Sequence, residues 1–80
     1  MKLPNKKQRE VYRRLLLKRN YVLDILAHCE TFEQLENCKQ WTEQIFNNEL
    51  TICPKCRVKI NSIKNLVLSA IQFNIDLLMD

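Results

Sequence analysis

The chain contains no glycine in its 80 residues. Phosphate-binding loops of the P-loop and Rossmann types need glycine for their tight turns and close backbone approaches, so the sequence excludes both motifs. Hydrophobic residues make up 46% and charged residues 28% of the chain, which is ordinary for a globular protein and argues against disorder. A chain this short makes one domain, residues 1–80, with a thin core that benefits from a metal, a disulfide or a second copy.

Two capping boxes and a proline mark the starts of three helices. Asn5 with Gln8, and Thr31 with Gln34, have the spacing in which side chain and backbone cap each other at a helix N-terminus. Pro54 is suited to a first helical turn, where its missing N–H costs nothing. The predicted helices span residues 5–28, 32–47 and 54–79, and Asn47-Asn48 is expected to end the second one in place of a glycine cap.

Each predicted helix carries an apolar stripe of helical period. The sequence therefore predicts an all-α protein, a small three-helix bundle in up-down-up order, since short connections favour antiparallel neighbours. The inner stripes are Val11, Leu15, Val22, Leu26 and Cys29 on the first helix, and Leu35, Cys38, Thr42, Ile45 and Phe46 on the second.

The third helix is apolar around more of its circumference than two intrachain neighbours need. Cys56, Ile60, Ile63, Val67, Ala70, Asn74 and Leu77 follow the heptad spacing of a coiled coil. We expect this helix to mediate dimerisation or to dock a partner helix, with Asn74 pairing across the interface; the alternative is the buried central helix of a bundle. The candidate interface residues are Ile63, Leu66, Val67, Ile71, Phe73, Asn74 and Leu78.

Charge is segregated along the chain. Eight Lys or Arg residues against Glu10 alone occupy positions 1–19, six acidic residues against Lys39 occupy positions 20–50, and four basic residues occupy positions 51–64. A basic first helix is either a solvated surface or a contact for a phosphate backbone. The candidate nucleic-acid contacts are Lys6, Lys7, Arg9, Arg13 and Arg14.

Cys53-Pro54-Lys55-Cys56 opens the third helix with a Cys-x-x-Cys motif. Such a pair binds zinc, exchanges disulfides, or simply packs, and zinc with Cys53 and Cys56 as ligands is the cofactor the motif suggests. His28, Cys29 and Cys38 would complete a ligand set, but the length of the second helix separates Cys29 from Cys53 too far for one metal. Redox catalysis is disfavoured because no sheet surrounds the motif.

The sequence predicts a small non-enzymatic regulatory or adaptor protein that acts through its apolar C-terminal helix on a protein partner or a second copy. The alternative is a basic helical protein that binds nucleic acid and is stabilised by zinc at its Cys-x-x-Cys motif. No carboxylate pair or nucleophile–base set indicates an enzyme. The sequence shows neither the apolar segment of a signal peptide nor a membrane-spanning helix. We therefore expect a cytoplasmic protein that does not bind membranes and whose thiols are reduced.

Overall fold

The computed structural model describes residues 6–79. They form three α-helices, α1 (Lys6–Ala27), α2 (Phe32–Ile52) and α3 (Arg57–Met79), with a 3-10 turn at Pro54–Cys56 before α3. The all-α prediction is confirmed for these residues. The predicted capping role of Asn5 falls outside them.

The second capping box is confirmed in full. The backbone N–H of Gln34 donates to the Thr31 hydroxyl oxygen at 3.1 Å, and the Thr31 backbone N–H donates to the Gln34 side-chain oxygen at 3.2 Å. The same oxygen also accepts from the backbone N–H of Glu30 at 2.7 Å. These bonds satisfy backbone donors that a helix start leaves unpaired, and they turn the chain from α1 into α2.

The predicted end of the second helix is wrong. Asn47 and Asn48 remain helical, and α2 continues to Ile52. No residue among 6–79 has the positive φ of a left-handed cap. The helix continues because its next turn places Glu49 in the interior, and it closes where the Cys53 backbone N–H donates to the Glu49 carbonyl oxygen at 2.9 Å.

Pro54 begins the 3-10 turn as its fixed φ favours, and α3 follows at Arg57. The predicted start at residue 54 therefore includes this tighter turn. Its end at Met79 agrees with the prediction.

The three helices bury one contiguous core. The predicted inner stripes of α1 and α2 are confirmed except at two positions: Ile45 and Cys29 are only partly buried at the margin of the core, and Cys29 follows the end of α1. Thr42 is accommodated because its hydroxyl donates to the Cys38 carbonyl oxygen at 2.7 Å. Each fully buried aliphatic or aromatic side chain contributes about 1.5–3 kcal/mol through removal from water. The core side chains from α3 are Ile60, Ile63, Val67, Ile71 and Ile75.

Candidate functional site

The apolar surface of α3 divides into a buried face and an exposed face. Of the seven predicted interface residues, Ile63, Val67 and Ile71 lie in the core of the chain itself. The prediction is wrong for these three because they pack against α1 and α2 and offer nothing to a partner. Leu66, Phe73 and Leu78 are exposed, and Asn74 is half-buried.

Asn74 finds its hydrogen bond within its own helix. Its side-chain nitrogen donates to the Ala70 carbonyl oxygen at 2.8 Å. A partner amide is therefore not needed to satisfy this donor, and the predicted cost of an unpaired Asn74 is no argument for an interface.

A second stripe on α3 is exposed, and it consists of Leu66, Ala70, Phe73 and Leu77. Its 4-3-4 spacing places the four side chains in one row along the helix. Leu66 is 56%, Phe73 64% and Leu77 58% exposed, while Ala70 is partly buried at the base of the row. We call these four residues the α3 stripe. Sequence reasoning assigned Leu77 to the coiled-coil seam but not to the interface, although the same spacing read from Leu66 includes it.

The predicted nucleic-acid contacts occupy two places. Lys6, Arg9 and Arg13 lie with Glu10 around one open cavity on the surface of α1. Lys7 lies with Lys55 at a separate cavity beside the Cys53-Pro54 turn.

Arg14 has a different role, because it pairs with the interior carboxylate of Glu49. Its Nε and Nη2 donate to the two carboxylate oxygens at 3.1 and 2.7 Å. Lys18 donates to Glu49 Oε1 at 2.5 Å. Burial alone would raise the pKa of Glu49, but the hydrogen bonds and positive charges of Arg14 and Lys18 outweigh it and lower that pKa. Arg14 thus joins α1 to α2 and is removed from the candidate nucleic-acid contacts.

The two basic segments of the sequence meet in space. The Lys59 ammonium lies 5.8 Å from the centre of the Tyr12 ring, a cation–π distance. This contact brings the first turn of α3 beside the N-terminal half of α1. We call the joint region the basic end, and it comprises Lys6, Lys7, Arg9, Arg13, Lys55, Arg57 and Lys59.

Cys53 and Cys56 form a disulfide, and both are buried. This pairing differs from the reduced thiols expected for the motif. Zinc binds thiolates, and a sulfur in a disulfide is not one. Among residues 6–79, no group of three or more His, Cys, Asp or Glu side chains is arranged to hold a metal ion. The predicted zinc site at Cys53 and Cys56 consequently has no support in this arrangement.

The other two cysteines are free and lie together where α1 meets α2. The Cys29 thiol donates to the Ile25 carbonyl oxygen at 3.4 Å, whereas Cys38 is buried. Burial, and then the neighbouring Cys29, raise the pKa of the Cys38 thiol, which keeps it protonated and unreactive. Both line an open cavity of about 480 Å³ with His28 and Trp41.

No protein-family model matches the chain, and no curated protein or solved structure matches it significantly. None of the helices within residues 6–79 has the length and apolarity needed to cross a membrane. The α3 stripe and the basic end are the two candidate binding surfaces among residues 6–79.

The disulfide gives a first prediction. Cross-linking residues 53 and 56 closes a very short loop, for which chain entropy predicts a stabilisation of about 2 kcal/mol. We expect dithiothreitol to lower the free energy of unfolding by that amount in urea titrations. The control is the double variant Cys53→Ala/Cys56→Ala, whose stability should not respond to the reductant. An unchanged wild-type midpoint under full reduction would contradict the prediction.

Proposed function

We propose that this protein is a small non-enzymatic regulatory or adaptor protein that docks another helix on its α3 stripe. The observation that carries the proposal is the row of Leu66, Phe73 and Leu77, each more than half exposed. Single exposed apolar residues are common on protein surfaces, but a continuous row at helical spacing is the pattern by which helices bind apolar grooves.

We infer the predicted up-down-up order from contacts between the helices. Arg14 and Tyr21 of α1 contact Glu49 and Trp41 of α2, respectively, so later residues of α1 meet earlier residues of α2. Lys64 near the start of α3 donates to Asn47 near the end of α2 at 3.3 Å. Together with Lys59 on Tyr12, these contacts support α1 and α3 running side by side in the same direction, opposite to α2.

In this arrangement the α3 stripe lies on the side of α3 that faces α1, the side on which Lys59 contacts Tyr12. Tyr12, Leu16 and Leu23 lie on one flank of α1 by their helical spacing, and the Tyr12 ring contacts Lys59 of α3. Leu16 is 42% exposed, so the apolar surface continues from α3 onto α1. A docked helix would contact both.

The absence of catalysis belongs to the same proposal, and so does the cytoplasmic location expected from the sequence, although a lasting disulfide is rare in that compartment. The buried carboxylate of Glu49 is occupied by two cations, and the Cys53 and Cys56 sulfurs are joined to each other. Neither group is poised for acid–base or nucleophilic chemistry as it stands.

Photocrosslinking tests the docking function directly. p-Benzoylphenylalanine placed at Phe73 should form discrete protein adducts on irradiation in the expressing cells, because this position faces the bound helix. The matched control is the same amino acid at Leu17, which is 62% exposed on α1 one turn after Arg13. Absence of adducts at position 73, or equal yields at both positions, would refute docking on the stripe.

A second candidate function is favoured by the contact of Lys59 with Tyr12, so that the surface of the basic end includes cationic side chains of both α1 and α3. This surface would bind a phosphate backbone without reading its sequence. Affinity for duplex DNA should then fall with salt, with a log–log slope of about −0.9 for each phosphate neutralised.

The double variant Arg9→Gln/Arg13→Gln should reduce that slope, whereas Lys39→Gln on α2 should leave it unchanged. Absence of DNA and RNA retention at about 50 mM salt, where such contacts are strongest, would eliminate this candidate.

A further inference from the structure

We propose that the helix bound on the α3 stripe is α3 of a second copy of this chain, running antiparallel across a two-fold axis. This inference rests on the proposed docking function and names its partner. It follows from the order of side-chain sizes in the stripe, the positions of charge at the two ends of the molecule, and the length of the exposed row.

The stripe is complementary to itself in the antiparallel direction. A two-fold axis between Ala70 and Phe73 places Leu66 opposite the second copy's Leu77, and Ala70 opposite the second copy's Phe73. Each large aromatic ring then faces a small side chain, which is the alternation that lets facing helices interdigitate. Because the two-fold axis generates each pairing twice, the same surface forms the interface in both copies.

The parallel arrangement fits less well. In a parallel pair, Phe73 would face Phe73 of the second copy, and Ala70 would face Ala70 of the second copy. The two aromatic rings would be crowded, and the two small side chains would leave a gap. Crowding and voids both cost stability in a packed interface.

Charge favours the same direction. Asp24, Glu30 and Glu33 are exposed near the turn between α1 and α2, at the opposite end of the molecule from the basic end. Since Lys64 is level with Asn47, the last turn of α3 is level with the first turn of α2 in the up-down-up arrangement. An antiparallel second copy therefore extends its own basic end past Met79, toward the acidic end of the first copy and away from the first copy's basic end. A parallel copy would place like charges side by side.

The overlap of the two helices is short. Pairing about this axis covers residues 64–79, which corresponds to about 24 Å of helix. An interface of that length is at the small end for stable complexes, so the dimer should dissociate on dilution.

Light scattering across a dilution series measures the association itself. The wild-type mass should approach twice 9.6 kDa at high concentration and fall to 9.6 kDa on dilution. Phe73→Glu should remain monomeric and folded, since residue 73 is outside the core. A variant at buried Ile71 is unsuitable because it would unfold the chain. A wild-type monomer at every concentration would overturn the inference.

Cysteine trapping tests the direction. In a Cys29→Ser background, a mixture of Leu66→Cys and Leu77→Cys proteins should yield a covalent dimer. A mixture of Leu66→Cys and Leu17→Cys proteins serves as the control and measures non-specific disulfide formation. Leu66→Cys alone, or Leu77→Cys alone, should yield no more covalent dimer than this control. In the antiparallel pair, position 66 is about 16 Å along the helix from its own copy, well beyond the reach of a disulfide. Homodimers from each variant alone, with none favoured in the mixture, would overturn the antiparallel pairing.

The two proposals fail in distinguishable ways. If photocrosslinking at position 73 yields adducts with a different protein while light scattering reports only monomer, the second copy is excluded and the docking function stands. If position 73 yields no adduct, both proposals are excluded.

Discussion

Removing both cations that face Glu49 should destabilise the protein by about 3–5 kcal/mol, because it leaves a charge buried without a partner. The variant is Arg14→Met/Lys18→Met, which keeps apolar side-chain stems in place while deleting the two charges that bond the carboxylate. Unfolding in urea at neutral pH measures the loss. Arg9→Met/Arg13→Met deletes the same net charge away from Glu49 and should cost little, as exposed charges usually do.

In this variant, the pH dependence of the contribution of Glu49 to stability should reverse in sign. In the wild type, the folded-state pKa of Glu49 is below its unfolded value, so the stability it contributes is present above the ordinary carboxyl pKa of about 4.3 and is lost as the pH falls. Without its cations, burial alone acts and raises the folded-state pKa. The difference in stability between the wild type and the variant should then shrink as the pH falls and Glu49 takes up a proton.

A third substitution completes this test. Adding Glu49→Met to Arg14→Met/Lys18→Met removes the buried charge and should recover most of the lost stability, since apolar replacement of a buried ion cluster is often neutral or stabilising. A double variant no less stable than Arg9→Met/Arg13→Met, with no recovery from Glu49→Met, would mean that the cluster is solvated and contributes little.

Local signals in the sequence predicted much of the fold. The Thr31–Gln34 capping box and the position of Pro54 involve residues close in the chain, and they set the starts of α2 and of the turn before α3. The stripes that became the cores of α1 and α2 have a period that any helix imposes. These features depend on no distant partner, so they can be derived from spacing alone.

Features that depend on distant partners were missed. Asn47-Asn48 resembles a helix stop, but the pairing of Glu49 with Arg14, 35 positions earlier, stabilises the turn that continues α2. A glutamate is expected in solvent, so its place on the apolar face of α2 was not recognised.

The candidate interface shows the same limit. Periodicity shows that α3 is apolar over a wide arc, but it cannot show which part of that arc α1 and α2 cover. The structure assigns Ile63, Val67 and Ile71 to the core and leaves the row with Leu66 and Phe73 exposed. Sequence reasoning singled out α3 but did not separate its buried face from its exposed face.

A pair of phenylalanines separates core from interface most sharply. Phe46 of α2 is fully buried, and Phe46→Ala should cost about 3–5 kcal/mol, through lost burial and the cavity left behind. For an 80-residue chain with the usual stability of about 5–15 kcal/mol, that loss removes between about a fifth and all of the free energy of unfolding. Circular dichroism during urea titration measures it.

Phe73→Ala removes the same atoms from an exposed position and should change the stability of the dilute monomer by less than about 0.5 kcal/mol. The effect of Phe73→Ala on stability should appear only as the protein concentration is raised. Association stabilises the folded state by mass action, so the wild-type urea midpoint should rise with protein concentration, whereas that of Phe73→Ala should not. A Phe73→Ala loss as large as that of Phe46→Ala in dilute solution would place Phe73 in the core and remove the basis of the docking surface. Equal concentration dependence in the wild type and Phe73→Ala would move the self-association to another face of the molecule.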